Sequence, residues 1–567
     1  LLAVLAAMLA LYWPEELDPS LKPKDSSYLL LQGKQLHFDF IIVGAGSAGS
    51  CVLANRLSEN PNWKVLLIEA GGPENYTTDV PALTRARSGT KYNWNYRTSK
   101  QQFCCLGTDG YCNYRRGRVI GGCSTTNGML YVRGNPRDFD EWEEMGNPGW
   151  SYNSVLPYFL KSENTTIKEL IDSPYHSTKG LSVSYGNYRL PINEDYIQAG
   201  REYGLDVIDY NGKTQNGIGY TQFTMRDGAT RSSSSKAYLD PIRNRPNLFI
   251  FMNSLVTKVL FSRTKRAIGV YCMTDGVQYD IRATKEVILS AGAVETPKLL
   301  MLSGVGPKDH LQELNIPIVV DLPVGKHLVD HAGVIVSYKI NTSVINCCHE
   351  FTNQTIEEYV RYKDGELTSH SWQVQAFIQG KTMPFNASFS LSMGVNGFNH
   401  SLHHGPKAQI LIMLLDPKSV GEIRLKSNSY KDYPLIDPKY YSIRSDMVGL
   451  MWALRELAKY MSAAALAKYS PVWDASDVSE CQNYFSEPVT DQFLECYLKY
   501  KGGTASYHPV GTARMGNDSY SSVVDSQLRV HGIANLRVVD ASVMPKITKG
   551  NTNAPTIMIG EKGADLI

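Results

Sequence analysis

The sequence predicts an α/β fold of two interwoven domains, and three observations carry that prediction. The run F-D-F-I-I-V at 38–43 enters G-A-G-S-A-G at 44–49, and the helically spaced S-C-V-L-A-N-R-L precedes a second apolar run, K-V-L-L-I-E-A-G-G. Strand, glycine turn, helix and strand in this order open a parallel sheet of the Rossmann-like kind. E-V-I-L-S-A-G-A at 286–293 and N-L-R-V-V-D-A-S-V-M-P at 535–545 repeat the passage from buried strand to tight turn far along the chain. Finally, 567 residues are more than one core needs, and large α/β enzymes divide such lengths between two domains.

Hydrophobic residues make up 43% and charged residues 20%, an ordinary globular composition. The 57 basic and 55 acidic side chains nearly cancel, which leaves no field to hold nucleic acid and points to a small-molecule ligand. The chain opens on L-L-A-V-L-A-A-M-L-A-L, which has the length of a signal-peptide core and is too short to span a bilayer. A helix retained in the fold is the alternative. Residues 1–35 thus read as a signal-peptide remnant and a polar lead, and no later stretch calls for membrane insertion. N-x-[ST] tripeptides at Asn75, Asn164, Asn341, Asn353, Asn386, Asn399 and Asn517 favour a secreted glycoprotein. The spacing of Cys104, Cys105 and Cys112, and of Cys481 and Cys496, allows one loop-closing disulfide in each group and suits no zinc site. Cys347 and Cys348 have no obvious partner.

The first glycine turn is built for a dinucleotide. Gly44 permits the tight turn, Gly46 lets backbone approach a pyrophosphate, and Gly49 lets helix and strand pack closely, with Ser47 and Ala48 between them. Glu69 stands 20 residues after Gly49 at the tip of the second strand, where it can accept hydrogen bonds from ribose hydroxyls. This motif does not separate NAD from FAD. Farther on, 247–261 and 267–273 read as strands of a hairpin or small sheet, the serine run at 232–235 as a loop against structure, and Pro297 as the start of a helix. The segment from about 311 to 504 has no glycine-rich nucleotide turn and is rich in Tyr, Trp and Met, which suits a domain that covers a substrate.

G-R-V-I-G-G-C-S-T-T-N-G-M-L-Y-V-R-G at 117–134 is a second glycine-rich segment. Together with G-A-V-E-T-P-K-L-L-M-L-S-G-V-G at 292–306, Y-H-P-V-G-T at 507–512 and the closing G-N-T-N-A-P-T-I-M-I-G, it resembles the glucose-methanol-choline (GMC) oxidoreductase family of FAD enzymes. The resemblance runs from about Phe38 to the end. The loop C-C-L-G-T-D-G-Y-C is similar to that of the family's secreted insect branch, with its glucose dehydrogenase-like, ecdysone oxidase-like and salicyl alcohol oxidase-like members.

The resemblance implies a discontinuous FAD-binding domain over 36–150, 235–310 and 505–567, and an α+β substrate-binding domain over 151–234 and 311–504. It places Val256 near the adenine, Cys123, Asn127, Gly128, Met129 and Leu130 along the flavin side, and Asp540 and Ala541 at the flavin end. Trp94 either borders the isoalloxazine or belongs to the core. Thr126 stands where covalently flavinylated members carry histidine, so the FAD is expected to be non-covalent.

The activity implied is oxidation of a primary or secondary alcohol by hydride transfer to flavin N5, with oxygen or a quinone-type acceptor as oxidant. His508 supplies the base that takes the hydroxyl proton, which explains a histidine with no metal ligand or nucleophile near it in sequence. Asn551 matches the family's second active-site position and orients the substrate oxygen. An aromatic or terpenoid alcohol is the favoured substrate. A sugar dehydrogenase, a cyanohydrin lyase and a catalytically silent secreted paralogue are the alternatives.

Overall fold

The computed structural model describes the chain apart from residues 33–34, 48, 88, 345–350, 381–387, 397–406, 477 and 487. Among the described residues no helix is long and apolar enough to cross a membrane.

Two seven-stranded sheets organise the molecule. In the first, the order is Leu248–Phe251, Val65–Ile68, Leu36–Val43, Val277–Leu289, Ala267–Thr274 and Ser254–Phe261, with Leu536–Val538 also on Val277–Leu289. Its central strands are parallel, and their near-continuous apolar runs follow from burial on both faces. The Ser254–Phe261 and Ala267–Thr274 strands do pair as a hairpin, but they extend this main sheet antiparallel and do not form a small sheet of their own.

The second sheet is antiparallel, in the order Val472–Trp473, Ala332–Lys339, Lys407–Leu414, Ser388–Asn396, Val374–Gln379 and Gly217–Tyr220. Thr504–Ala505 also pairs with Ala332–Lys339. The chain therefore leaves the first sheet after Leu289 and returns to it only at Leu536, having built most of the second sheet in between.

One helix starts earlier than the sequence suggests. It spans Gly292–Leu302, with Pro297 inside it. Asp540 explains the early start: its Oδ2 accepts the Gly292 N–H at 2.9 Å and the Thr296 hydroxyl at 2.6 Å, while Thr296 Oγ1 accepts the Ala291 N–H at 3.1 Å. These bonds fix the first turn, and the helix tolerates the donor that Pro297 lacks.

The apolar N-terminal run forms the helix Leu2–Tyr12, with Leu5, Leu9 and Trp13 buried against Ile356, Tyr359 and Val360. Beyond it, Glu16 pairs with Arg226 at 2.6 Å and Lys236 at 3.2 Å. Disulfides join Cys105 to Cys112 and Cys481 to Cys496. Cys104 stays a buried thiol beside the first of them. Cys347, Cys348, Asn386 and Asn399 lie outside the described residues; Asn75, Asn341, Asn353 and Asn517 are exposed, and Asn164 is half-buried.

Candidate active site

Three glycine contacts draw the motifs of the first domain together. A Cβ on Gly44, at φ +96°, would lie 2.7 Å from Ser290 O, so the first turn packs on the Ser-Ala-Gly turn. A Cβ on Gly122 would stand 2.5 Å from Gly46 Cα, and one on Gly71 would stand 2.1 Å from Arg118 O. The second glycine segment thus lies directly against the first, and only residues without side chains permit the approach.

Gly49 opens the helix Gly49–Leu57, Ser47 is buried just before it, and Ala48 lies outside the described residues. Glu69 closes the turn from the other side. Its Oε2 accepts Ala45 N–H at 2.9 Å and its Oε1 accepts Gly71 N–H at 2.8 Å. Burial raises its carboxyl to about 7, against the pull of those two amides and of Arg118. Each oxygen keeps a further acceptor site. Val256 is buried on the neighbouring strand, which begins where Ser254 N–H donates to Glu69 O at 2.9 Å.

Cys123 opens a short helix, Cys123–Thr126, and its Sγ accepts the Gly117 N–H at 3.3 Å. Asn127 Oδ1 accepts Met129 N–H at 3.0 Å and an Arg231 guanidinium N–H at 2.7 Å. Gly128 faces the edge of His370, Met129 adopts φ +65°, and Leu130 bridges to Phe223. Trp94 stacks on Tyr96 with centroids 5.8 Å apart, beneath the Arg118 guanidinium. Asp540 is fully buried and engaged with Gly292, Thr296 and Ser542, and Ala541 begins the turn that follows.

His508 owes its position to strand register. Ala332 pairs with Ala505, whereas Val329 bridges to Val510, so five steps on one strand oppose three on the other. The extra residues form a bulge around Tyr507, at φ +62°. Arg116 holds that bulge by donating to Tyr507 O at 2.5 Å, and Asp330 Oδ1 accepts the His508 backbone N–H at 2.9 Å. Burial raises the Asp330 carboxyl to about 6, while Tyr440, donating at 2.6 Å, opposes that rise.

The His508 ring is buried between two partners: Nε2 lies 3.1 Å from Asn551 Nδ2, and Nδ1 lies 3.1 Å from His331 Nδ1. Burial, followed by His331 and Arg116, holds its pKa well below the ordinary imidazole value. Asn551 follows Gly550, where a Cβ would come within 2.3 Å of Val132 Cγ1. Just beyond, at the start of the helix Asn553–Asp565, both amide atoms of Asn553 are buried without a protein partner.

Sequence reasoning missed four contributors to this site: Asp330, His331, Arg231 and the serine run. Arg231 is fully buried and donates to Thr78 O, Ser124 O and Asn127. Ser232 to Ser235 are all buried beneath the second glycine segment; the Ser233 hydroxyl donates to Glu74 at 2.9 Å, and Ser234 N–H donates to Ser124 Oγ at 2.9 Å. The four stand in V-D-H-A at 329–332 and T-R-S-S-S-S at 230–235, and neither stretch by itself signals its partners.

The donor set suits FAD. A glycine turn, a helix N-terminus and a carboxylate with spare acceptor sites meet at the ends of parallel strands, and the Asn553 amide awaits a polar partner.

Comparison with known proteins agrees with this geometry. Family models described as GMC oxidoreductase match residues 38–333 and 417–560. The chain is 37% identical over 551 residues to a glucose dehydrogenase (FAD, quinone) of Drosophila pseudoobscura pseudoobscura, covering 94% of this chain and 86% of that protein. It is 36% identical to the mitochondrial choline dehydrogenase of Mus musculus, covering 98% of this chain and 93% of that one. Among solved structures, pyridoxine 4-oxidase from Mesorbium loti superposes with a TM-score of 0.79 at 28% identity, over 93% of this chain and 98% of that one.

Proposed function

Because the chain belongs to the GMC oxidoreductase family and is an FAD-dependent oxidoreductase acting on CH–OH donors, we propose that it oxidises an aromatic or terpenoid alcohol, with His508 as the base. The observation that carries this reading is the His508 ring itself. It is buried, bonded at Nδ1 to His331, and turned at Nε2 toward Asn551.

Burial keeps His508 neutral near pH 7, so Nε2 has a lone pair with which to take the hydroxyl proton. Asn551 holds the substrate oxygen at that atom without competing for the proton. FAD, when bound, accepts the carbinol hydrogen with its two electrons. Glu69 and the glycine turn would hold its ADP half, and the 123–130 segment would serve its flavin half.

Support for an apolar substrate body comes from the wall beside that segment. Met129 and Leu130 pack with Phe223, Met225 and Trp372, and with Ile335 and Leu411 of the second sheet. A substrate space bordered by that cluster would offer few partners to a ring of hydroxyls. The Drosophila relative, named a glucose dehydrogenase that uses a quinone, favours a second reading in which a sugar is the donor. An anaerobic panel of benzylic, terpenoid and sugar alcohols, followed at the flavin absorbance, separates the two. Bleaching by benzylic or terpenoid alcohols and not by glucose is the expected result; bleaching by glucose alone overturns the substrate assignment. Peroxide on admitting air then distinguishes oxygen from a quinone as the acceptor.

The FAD is expected to be held without a covalent bond, because Thr126 offers no imidazole to the flavin. Acid precipitation should carry the yellow colour into the supernatant. Colour retained in the pellet would reveal a covalent link.

A further inference from the structure

We propose that His331 is a positioning residue for His508: by accepting the Nδ1–H of His508 at its own Nδ1, it fixes the tautomer in which the Nε2 lone pair of His508 faces the reacting hydroxyl. The proposal rests on His508 acting as the base and explains how that atom is kept bare.

The two Nδ1 atoms are 3.1 Å apart, with the ring planes at 86°. Two neutral imidazoles at this distance share one proton, so one ring donates and the other accepts. If His508 donates, its Nε2 carries no hydrogen, and its lone pair accepts an Asn551 amide N–H at 3.1 Å until the substrate hydroxyl takes that place as the donor. If His331 donates instead, the His508 proton moves to Nε2, against the Asn551 amide, and His508 has no lone pair left for the substrate. The two arrangements differ only in where two protons sit, yet one is competent and the other is not.

The surroundings of His331 select the competent one. Its ring has no exposed surface, and burial lowers its pKa to about 4, so it is a neutral acceptor through the physiological range. The carbonyls of Leu415 and Thr548 and the carboxylate of Asp416 face it, without completing a bond to Nε2. These negative ends draw the His331 proton to Nε2 and leave its Nδ1 bare toward His508. Lys549, the other charged group near it, is paired with Asp416 at 3.2 Å and with Asp138 at 2.8 Å. His508 itself faces Arg116 and the Asp330 carboxylate, and the latter is spent on the backbone N–H of His508 and on Tyr440. His331 is therefore the acceptor placed at Nδ1. When His508 gains the substrate proton, the same bond shares the new charge.

The test is made on the holoenzyme labelled with ¹⁵N at histidine. His508 is identified by the signals lost in His508→Ala. In the parental protein its Nδ1 should carry hydrogen and its Nε2 should not; a protonated Nε2 with a bare Nδ1 overturns the proposal. His331→Gln retains an acceptor oxygen and should recover most of the flavin-reduction rate. His331→Leu removes the acceptor, so His508 should show mixed tautomers and reduction should slow by about 10²-fold at unchanged FAD content. A His331→Leu protein that reduces flavin at the parental rate also overturns it, and if that variant does not fold, the parental spectrum decides alone. Full activity in His508→Ala would instead sink the reading of His508 as base.

Discussion

Replacing His508 with alanine is expected to slow anaerobic flavin reduction by the preferred alcohol by about 10²- to 10⁴-fold, the loss that follows removal of a positioned base. FAD should stay bound, because the groups proposed to hold its ADP half, Glu69 and the Gly44–Gly49 turn, belong to the first sheet, whereas His508 hangs from the second. The fold should also survive: the bulge carrying residue 508 is fixed through backbone atoms, by Asp330 at the amide and Arg116 at the Tyr507 carbonyl. Asn551→Ala should cost less, because it removes an orienting hydrogen bond and leaves the proton acceptor in place. A His508→Ala enzyme that holds FAD and reduces it at the parental rate would show that the base lies elsewhere.

The pH dependence of the same step has a defined sign. Only neutral His508 can take the proton, so the rate rises with pH through its apparent pKa. Burial, His331 and Arg116 all disfavour the imidazolium and move that pKa below 6.5. Reduction should therefore be level around neutrality and fall only on acidification below the ordinary histidine range, and the dependence should vanish in His508→Ala. A midpoint at or above neutral pH would mean that the ring is more solvated than the structure shows.

How much of this was legible beforehand follows from the range of the interactions. The Gly44–Gly49 turn and Glu69 could be read directly, because one strand-turn-helix-strand unit creates their function within thirty residues. The second glycine segment and His508 carried no local chemistry and became readable only as members of an ordered set of motifs. Asp330 and His331 were invisible, since nothing in V-D-H-A says that Ala332 will pair with Ala505. Register between segments so far apart is settled by the packed sheet, not by either segment's composition. The serines at 232–235 read as a loop against structure, and they are buried, but their partners were not legible for a related reason: the Ser233 hydroxyl meets Glu74 and the Ser234 hydroxyl meets Ser124, both distant in sequence. Pro297 misled because helix-start statistics took no account of Asp540, more than 240 residues away, which anchors the true first turn.

Gly122→Ala is expected to yield a folded protein that purifies with a reduced flavin complement. Two penalties meet at this position. The residue has φ +52° and ψ −128°, a conformation that side chains avoid, at about 1–3 kcal/mol. The added methyl would also stand 2.5 Å from Gly46 Cα and 3.2 Å from Ser47 N, where neither neighbour is a side chain that can swing away. The chain relieves that overlap only by moving the two glycine turns apart, and one of them is the turn proposed to meet the pyrophosphate. A strain of that size borne by the bound form alone corresponds to about 5- to 150-fold weaker FAD binding. Gly204→Ala is the matched control. It has φ +94° at the end of the helix Ile192–Tyr203, and an added Cβ there meets nothing within 4 Å. It bears the backbone penalty without the collision and should keep its colour. The ratio of absorbance at 450 nm to that at 280 nm, read against the parental protein, checks both variants. A Gly122→Ala protein with a full flavin complement would show that the two glycine turns can separate without disturbing the cofactor, and that their close approach serves packing alone.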